Sequence, residues 1–172
     1  MAALAALVGC AAAHGYPARP GGPVLDLADV MPAADEAALN SRLTKYYEAS
    51  GNALVVVTVT SLEGQTIEQY ANGLFNEWGI GDARTDRGVL ILLAPNDRQA
   101  RIEVGCGLEG TVTNGFAEQV MQMKMIPEYK QHHFEEGTLA AVDALINRLA
   151  SPPANDNGPV SAVCRSRLRG RS

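Results

Sequence analysis

Two long apolar runs constrain the fold of this chain more than any other feature. The first, ALVVVTVT, covers residues 53–60, and the second, GVLILLAP, covers residues 88–95. Both runs are rich in β-branched and aliphatic residues with little polar alternation, which is the pattern of a strand buried on both faces. We therefore predict an α/β fold in which helices cover a buried sheet.

A well-marked helix is predicted between these two runs. Thr66 and Gln69 have the spacing of a capping box, in which the hydroxyl accepts a backbone N–H and the glutamine side chain reaches back. Apolar side chains then recur at helical spacing: Ile67, Tyr70, Ala71, Leu74, Phe75 and Trp78. We expect a helix over about 66–78 that packs on the sheet through this stripe.

The rest of the body carries further helix and strand patterns. VLDLADV, from Val24, is expected to be a short extended entry to the sheet. Alternating residues 100–104 predict a strand that pairs antiparallel with the second buried run. The other elements are predicted helices over 33–50, over 114–125, where Pro127 would end the helix, and over 135–150.

The N-terminus has the composition of an export signal. Residues 1–13, MAALAALVGCAAA, are small and apolar, too short for a membrane span but suited to the core of a signal peptide. Leu7-Val8-Gly9-Cys10 has the form of a bacterial lipobox, whereas cleavage within Ala11–Ala13 would serve an ordinary secretory signal. We expect export, to the periplasm or to a membrane anchor facing it. A disordered cytosolic leader is the alternative.

Composition and charge predict one domain with two extensions. We expect a linker over 14–23, a domain over 24–150 and a disordered basic tail over 151–172. Residues 21–150 carry 18 acidic against 9 basic residues, whereas the tail carries four arginines and one aspartate. Nucleic acid is an unsuitable partner for so acidic a body, because phosphate binding needs concentrated Lys and Arg.

The loop EVGCGLEGTVTN contains a literal G-x-G-x-x-G, formed by Gly105, Gly107 and Gly110. A dinucleotide site needs a strand that runs directly into a helix N-terminus within a parallel βαβ unit. Here the preceding strand belongs to a predicted hairpin, Glu109 stands where phosphates would lie, and Thr111–Thr113 precede the next helix. We therefore predict no dinucleotide cofactor, and we expect the glycines to shape a tight loop at a strand end.

Other catalytic signatures fail on spacing. Cys106 has no arginine six positions later, and the neighbours His132 and His133 would point apart on any regular element. With Cys10 and Cys164, the three cysteines allow at most one bridge between Cys106 and the tail, so no disulfide framework is expected. The sequence thus identifies no catalytic nucleophile.

A set of carboxylates at predicted loop ends is the remaining candidate site. Hard cations such as Ca²⁺ and Mg²⁺ prefer several oxygen ligands, and glycine-rich loops expose carbonyl oxygens near these acids. The candidate residues are Asp26, Asp82, Asp86 and Glu109. The alternative is a solvated acidic rim that holds no ion.

The body as a whole resembles the TPM domain family. The resemblance runs from about Val24 to Leu149 and is carried by the run Trp78–Gly81, by Asp86 two positions before Gly88, and by the loop over 105–110. That family includes thylakoid-lumen proteins of photosystem repair and many exported or membrane-anchored bacterial proteins. The resemblance implies a three-layer α/β/α sandwich around a short, mixed, mostly buried sheet.

The resemblance also implies an extracytoplasmic location, divalent-cation binding in an acidic cleft, and acid phosphatase activity in some members. Asp26, Asp86 and Glu109 fall on acidic positions of the family motifs. Asn114 stands where an acid is common and Cys106 where an aromatic residue is common. A Ca²⁺ or Mg²⁺ site that also uses Asn114 should therefore bind more weakly than a typical member's site.

Two classes of function follow from these observations. As an interaction module, the domain would assist the assembly or repair of membrane complexes, with a membrane-protein complex or another envelope protein as its partner. As an enzyme, it would be a weak metal-dependent phosphomonoesterase. Any membrane attachment would fall to the N-terminus, because only the basic tail follows the domain.

Overall fold

The sheet of this protein is mixed and has four strands within the part of the chain that the computed structural model describes, residues 15–152 and Cys164. The strands lie in chain order, with β1, β2 and β3 parallel and β4 antiparallel to β3. They are β1 (Val24–Asp26), β2 (Ala53–Thr58), β3 (Gly88–Ala94) and β4 (Gln99–Val104). The predicted β3–β4 hairpin is confirmed.

Helices cover both faces of this sheet. They are α1 (Ala33–Ser50), α2 (Ile67–Glu77), α3 (Asn114–Val120), α4 (Ile126–Tyr129) and α5 (Phe134–Ala150), with a π-helical segment, Met121–Met125, between α3 and α4. No helix within residues 15–152 is both long and apolar enough to cross a bilayer. The predicted positions of α1, α2 and α5 are confirmed to within two residues.

The alternation of β3 divides the core between the two faces. Val89 and Ile91 pack into one cluster with residues of α1, α3 and α5, whereas Leu90 and Leu92 pack into the other with residues of α2. All seven residues of β3 are buried, as expected for a central strand covered on both sides. The three-layer α/β/α architecture implied by the family resemblance is therefore confirmed.

The α2 stripe is also as predicted. The Thr66 hydroxyl accepts the N–H of Gln69, and the Gln69 side chain accepts the N–H of Thr66. Trp78 follows the helix and is only 5% exposed. The helix thus begins where its capping residues place it and buries the side chains that its periodicity selects.

Tyr16, Pro17 and Arg19, from the segment over 14–23 that is expected as a linker, lie against α2 and the Trp78 that follows it. The Tyr16 ring packs edge-on against Tyr70 with centroids 5.2 Å apart. The indole N–H of Trp78 donates to the carbonyl of Pro17 over 2.9 Å. The segment before β1 therefore covers part of the α2 face. The predicted leader, residues 1–13, lies outside the described residues.

The prediction that Pro127 ends the helix over 114–125 is wrong. The chain continues through the π-helical segment, in which the N–H of Ile126 donates to the carbonyl of Met121, and Pro127 lies in the first turn of α4. Proline is tolerated there because the first N–H groups of a helix have no partner within it. The wider π turn starts a new helical register before the proline.

The capping box gives a first testable prediction. Thr66→Ala removes the hydroxyl that accepts the Gln69 N–H, so the free energy of unfolding should fall by about 1 kcal/mol. Thr66→Ser keeps the hydroxyl and should remain within about 0.5 kcal/mol of the parent. Urea unfolding followed by circular dichroism measures both, and equal losses in the two variants would contradict the capping role.

Candidate functional site

The candidate acids are divided between the two ends of the sheet. Asp26 pairs in register with Thr58, which in turn pairs with Leu93, so Asp26 lies at the carboxyl end of the parallel strands. Asp86 precedes β3 and Glu109 follows β4, at the amino end of β3. Val89 and Leu93 are four steps apart along β3, which corresponds to roughly 13 Å.

The expected convergence of Asp26 with Asp86 and Glu109 is therefore not found. The physical reason is strand direction. Because β1 runs parallel to β3, the end of β1 aligns with the end of β3, while the loops that carry the other acids lie at its start. The sequence predicts that each acid lies near a strand end, but it does not reveal which acids lie at the same end of the sheet.

The carboxylate of Asp26 organises the turn between β1 and α1. Its Oδ2 accepts the backbone N–H groups of Val30 and Met31 over 2.9 and 2.8 Å, and its Oδ1 accepts the hydroxyl of Thr58. Thr58 is completely buried. Three protein donors thus converge on this carboxylate, which is the pattern of an acid that holds a turn in place.

Asp82 and Asp86 share one turn at the entry to β3. Both residues have a positive φ, 65° and 50°, a conformation that aspartate tolerates better than most residues. The N–H of Asp86 donates to the carbonyl of Asp82 over 2.9 Å, and the Asp82 carboxylate accepts the N–H of Arg84 over 2.8 Å. The turn brings these two acids to the same place in the fold.

The glycine loop, defined here as residues 105–110, packs its backbone directly on this turn. The Asp86 carboxylate accepts the N–H of Cys106 over 3.1 Å, and the Asp86 carbonyl accepts the N–H of Gly107 over 3.0 Å. A Cβ at Gly105 would clash with the carbonyl oxygen of Asp86, and one at Gly107 with that of Thr85. The expectation that these glycines allow a tight loop is confirmed.

The amide groups of the glycine loop have partners within the protein. Besides Cys106 and Gly107, the N–H of Gly105 donates to the carbonyl of Gly88 over 2.8 Å, and the N–H of Leu108 donates to that of Gly105 over 2.9 Å. An anion-binding loop instead directs several N–H groups toward the ligand. These four amides therefore hold the loop in place and do not point toward a ligand.

Glu109 and Asn114 lie further along the same connection. Glu109 belongs to the glycine loop and is partly buried, whereas Asn114 is the first residue of α3 and is exposed. The helix itself is capped by Thr113, whose hydroxyl accepts the N–H of Phe116 over 3.2 Å. Within residues 15–152 and Cys164, no group of three or more His, Cys, Asp or Glu side chains is arranged to hold a metal ion.

A disulfide joins the glycine loop to the C-terminal segment. Cys106 and Cys164 are bonded across 58 residues of sequence, with Cα atoms 5.1 Å apart, and both are buried. The sequence allowed this single bridge but did not predict it. Cys164 is thus an exception to the expectation that the tail lies apart from the core. The available signal was that Cys106 is the one cysteine of residues 24–150, so any bridge from the domain had to reach Cys10 or Cys164.

The chain is therefore an α/β/α sandwich whose glycine loop packs on the turn before the third strand. Residues 24–148 match the TPM domain family, and the chain belongs to that family. No curated protein sequence matches the chain at a significant level.

Solved structures from three bacteria are similar to this fold. An N-terminal domain from P. gingivalis is 29% identical, covers 73% of this chain and 80% of its own, and has a TM-score of 0.68. The N-terminal domain of cg2496 from Corynebacterium glutamicum is 16% identical and has a TM-score of 0.60. The match covers 81% of this chain and 88% of the cg2496 domain. BA42 from Bizionia argentinensis is 20% identical and also has a TM-score of 0.60. The match covers 74% of this chain and 88% of BA42. The last two show the shared fold alone.

The contact between Asp86 and the glycine loop gives a second prediction. Asp86→Ala removes the acceptor of the Cys106 N–H and places alanine at a positive φ, so the free energy of unfolding should fall by about 2 kcal/mol. Asp86→Asn keeps an acceptor oxygen and tolerates that φ, so its loss should be below about 0.7 kcal/mol.

Urea unfolding of the purified full chain measures both variants. Asp82→Ala, at an exposed aspartate of the same turn, provides a comparison without contact to the glycine loop. A loss in Asp86→Asn as large as that in Asp86→Ala would show that the negative charge matters more than the hydrogen bond.

Proposed function

We propose that this chain is an extracytoplasmic TPM-domain protein that acts as an interaction module of the cell envelope. The observation that carries the proposal is the Cys106–Cys164 disulfide. Disulfides form and persist in the periplasm and outside the cell, whereas most cytosolic proteins keep their thiols reduced. The apolar residues 1–13 support the same location, because they have the composition of an export signal.

The interaction role is favoured because the polar groups of the glycine loop are used internally. The Asp86 carboxylate accepts the N–H of Cys106, and the other amides over 105–108 donate to backbone carbonyls of Asp86, Gly88 and Gly105. A catalytic phosphate site would need donors and a nucleophile directed outward at a substrate. We propose instead that the domain binds a membrane-protein complex or another envelope protein and assists its assembly or repair, the role that the family resemblance implies.

Cation binding remains a separate prediction, and Asp26 is no longer among its candidate ligands. The described carboxylates do not form the expected cluster, since Asp26 lies at the other end of the sheet and bonds to three protein donors. We therefore assign no chemical step to an ion. A Ca²⁺ or Mg²⁺ ion bound by Asp82, Asp86, Glu109 and Asn114 would have to compete with the Cys106 N–H for Asp86.

A weak acid phosphatase is the second candidate, because the matching family also carries the name TPM phosphatase. This name describes the family, and its transfer to the present chain is a proposal. The candidate arginines are Arg84 and Arg87, which flank Asp86. The Arg87 guanidinium already donates to the side chain of Asn52 over 2.8 Å, so Arg84 would be the available phosphate contact.

The location proposal predicts a protected disulfide in the native protein. In cells expressing the full chain, the protein should fractionate outside the cytoplasm, and Cys106 and Cys164 should resist maleimide unless reductant is added first. Cys164→Ala should lower the free energy of unfolding of the purified protein by about 2–4 kcal/mol, because it releases a long closed loop in the unfolded chain. Reductant should lower the stability of the parent by a similar amount and leave that of Cys164→Ala unchanged, because the variant has no bridge to lose.

Two results would contradict the location proposal. One is a native cytosolic protein in which both thiols react with maleimide without reductant. The other is equal stability of Cys164→Ala and the parent under oxidising conditions.

The choice between module and enzyme predicts the result of a phosphatase assay. The full chain should hydrolyse p-nitrophenyl phosphate no faster than the protein-free buffer, with or without Ca²⁺ or Mg²⁺. Denatured protein provides the background. Turnover that depends on an added cation, and that Asp86→Asn abolishes while Glu48→Gln at an exposed acid of α1 preserves it, would reverse the preference in favour of the enzyme.

A further inference from the structure

A second site is formed at the carboxyl end of β3, opposite the glycine loop. A cleft of about 670 Å³ lies there between the start of α2, the β3–β4 turn, and the segment that joins α4 to α5. Its volume lies in the range of small-ligand sites, and ligands of open α/β sheets commonly bind beyond the carboxyl ends of the strands. None of the candidate acids lines this cleft.

The interior of the cleft is apolar and uncharged. Leu93 and Ile67 are buried, and Ile126 and Phe134 are partly exposed toward it. Tyr129 also lines the cleft, and its hydroxyl hydrogen-bonds to the Thr138 hydroxyl over 2.7 Å. Burial raises the pKa of Tyr129 to about 12, so this side chain stays neutral at physiological pH.

The rim of the cleft is cationic. Arg98, at a positive φ in the β3–β4 turn, and Lys130, after α4, both line it and are exposed, and neither forms an ion pair with an acid among residues 15–152. The acids beside them in sequence have other partners. Asp97 accepts the N–H of Leu62 over 3.2 Å, and Glu128 pairs with His133 at 3.2 Å.

This arrangement is unusual for so acidic a domain. Acids outnumber bases two to one over residues 21–150, yet two cations border one apolar cleft and pair with no acid in the described part of the chain. A guanidinium and an ammonium at a rim attract an anionic head group, while the apolar interior takes up a hydrocarbon or aromatic body. His132 lies at the same rim, with its ring edge-on to Phe134.

We propose that this cleft binds an organic anion that carries a carboxylate or phosphate head group on an apolar body. Arg98 and Lys130 contact the head group, and Ile67, Leu93, Ile126 and Phe134 contact the body. The site is independent of the disulfide and of the glycine loop, so it extends beyond the function proposed above.

Four small probes test the proposal on the ¹⁵N-labelled full chain by NMR. 4-Phenylbutyrate and phenyl phosphate are anions with an apolar body, 4-phenyl-1-butanol has the body without the charge, and acetate has the charge without the body. At least one of the two aromatic anions should shift the amide signals of residues 93–100 and 126–134. It should bind at least fivefold more tightly than the alcohol or acetate. The aromatic anion that binds more tightly identifies the preferred head group.

Matched variants separate a specific site from general charge attraction. Arg98→Ala combined with Lys130→Ala should weaken binding of the preferred anion about tenfold, since two partly exposed charge contacts together contribute about 1.4 kcal/mol. Lys45→Ala combined with Lys124→Ala removes the same charge from exposed positions outside the cleft and should change the affinity less than twofold.

The spectra also report whether each variant is folded, so a loss of binding is interpretable. Equal affinity for the alcohol and the anions, equal losses in the two double variants, or signal shifts confined to other parts of the chain would each overturn the proposal. Absence of any shift with both aromatic anions would overturn it as well.

Discussion

The structure depends on the close backbone contact between the glycine loop and the turn that enters β3. Gly105 and Gly107 lie so near the carbonyls of Asp86 and Thr85 that no side chain fits between them. Asp86 completes the contact by accepting the N–H groups of Cys106 and Gly107 through its carboxylate and carbonyl. This contact fixes both ends of the β3–β4 hairpin where they meet, because one loop leaves β4 and the other enters β3.

The same contact extends into the rest of the sheet and to the C-terminal segment. Arg87 donates its N–H to the carbonyl of Gly81, and its own carbonyl accepts the N–H of Ala53 at the start of β2. Cys106, held by Asp86, carries the disulfide to Cys164. At the amino end of β3, Asp86 and the amides of the glycine loop are bonded within the protein, whereas the cleft at the carboxyl end is bordered by Arg98 and Lys130, which pair with no acid among residues 15–152.

Much of the fold could be predicted from sequence because its elements are locally encoded. The β3 residues are apolar without alternation, and Thr66 and Gln69 mark the start of α2, so burial and helix position follow from neighbouring residues. The position of Pro127 within a helix could not be predicted, because it depends on the π-helical turn before it. No local sequence rule predicts that turn. The acids could be assigned to loops but not to a shared site.

The sequence by itself determined the covered α/β sheet, the α2 cap and stripe, the hairpin, and the need for glycine in the loop after β4. Only the tertiary structure decided that Asp26 lies at the opposite end of the sheet from Asp86, that Cys106 meets Cys164, and that Arg98 and Lys130 border one cleft. The physical reason is the range of the interactions. Periodicity and capping act over a few residues, whereas strand register and the packing of distant loops depend on the whole core.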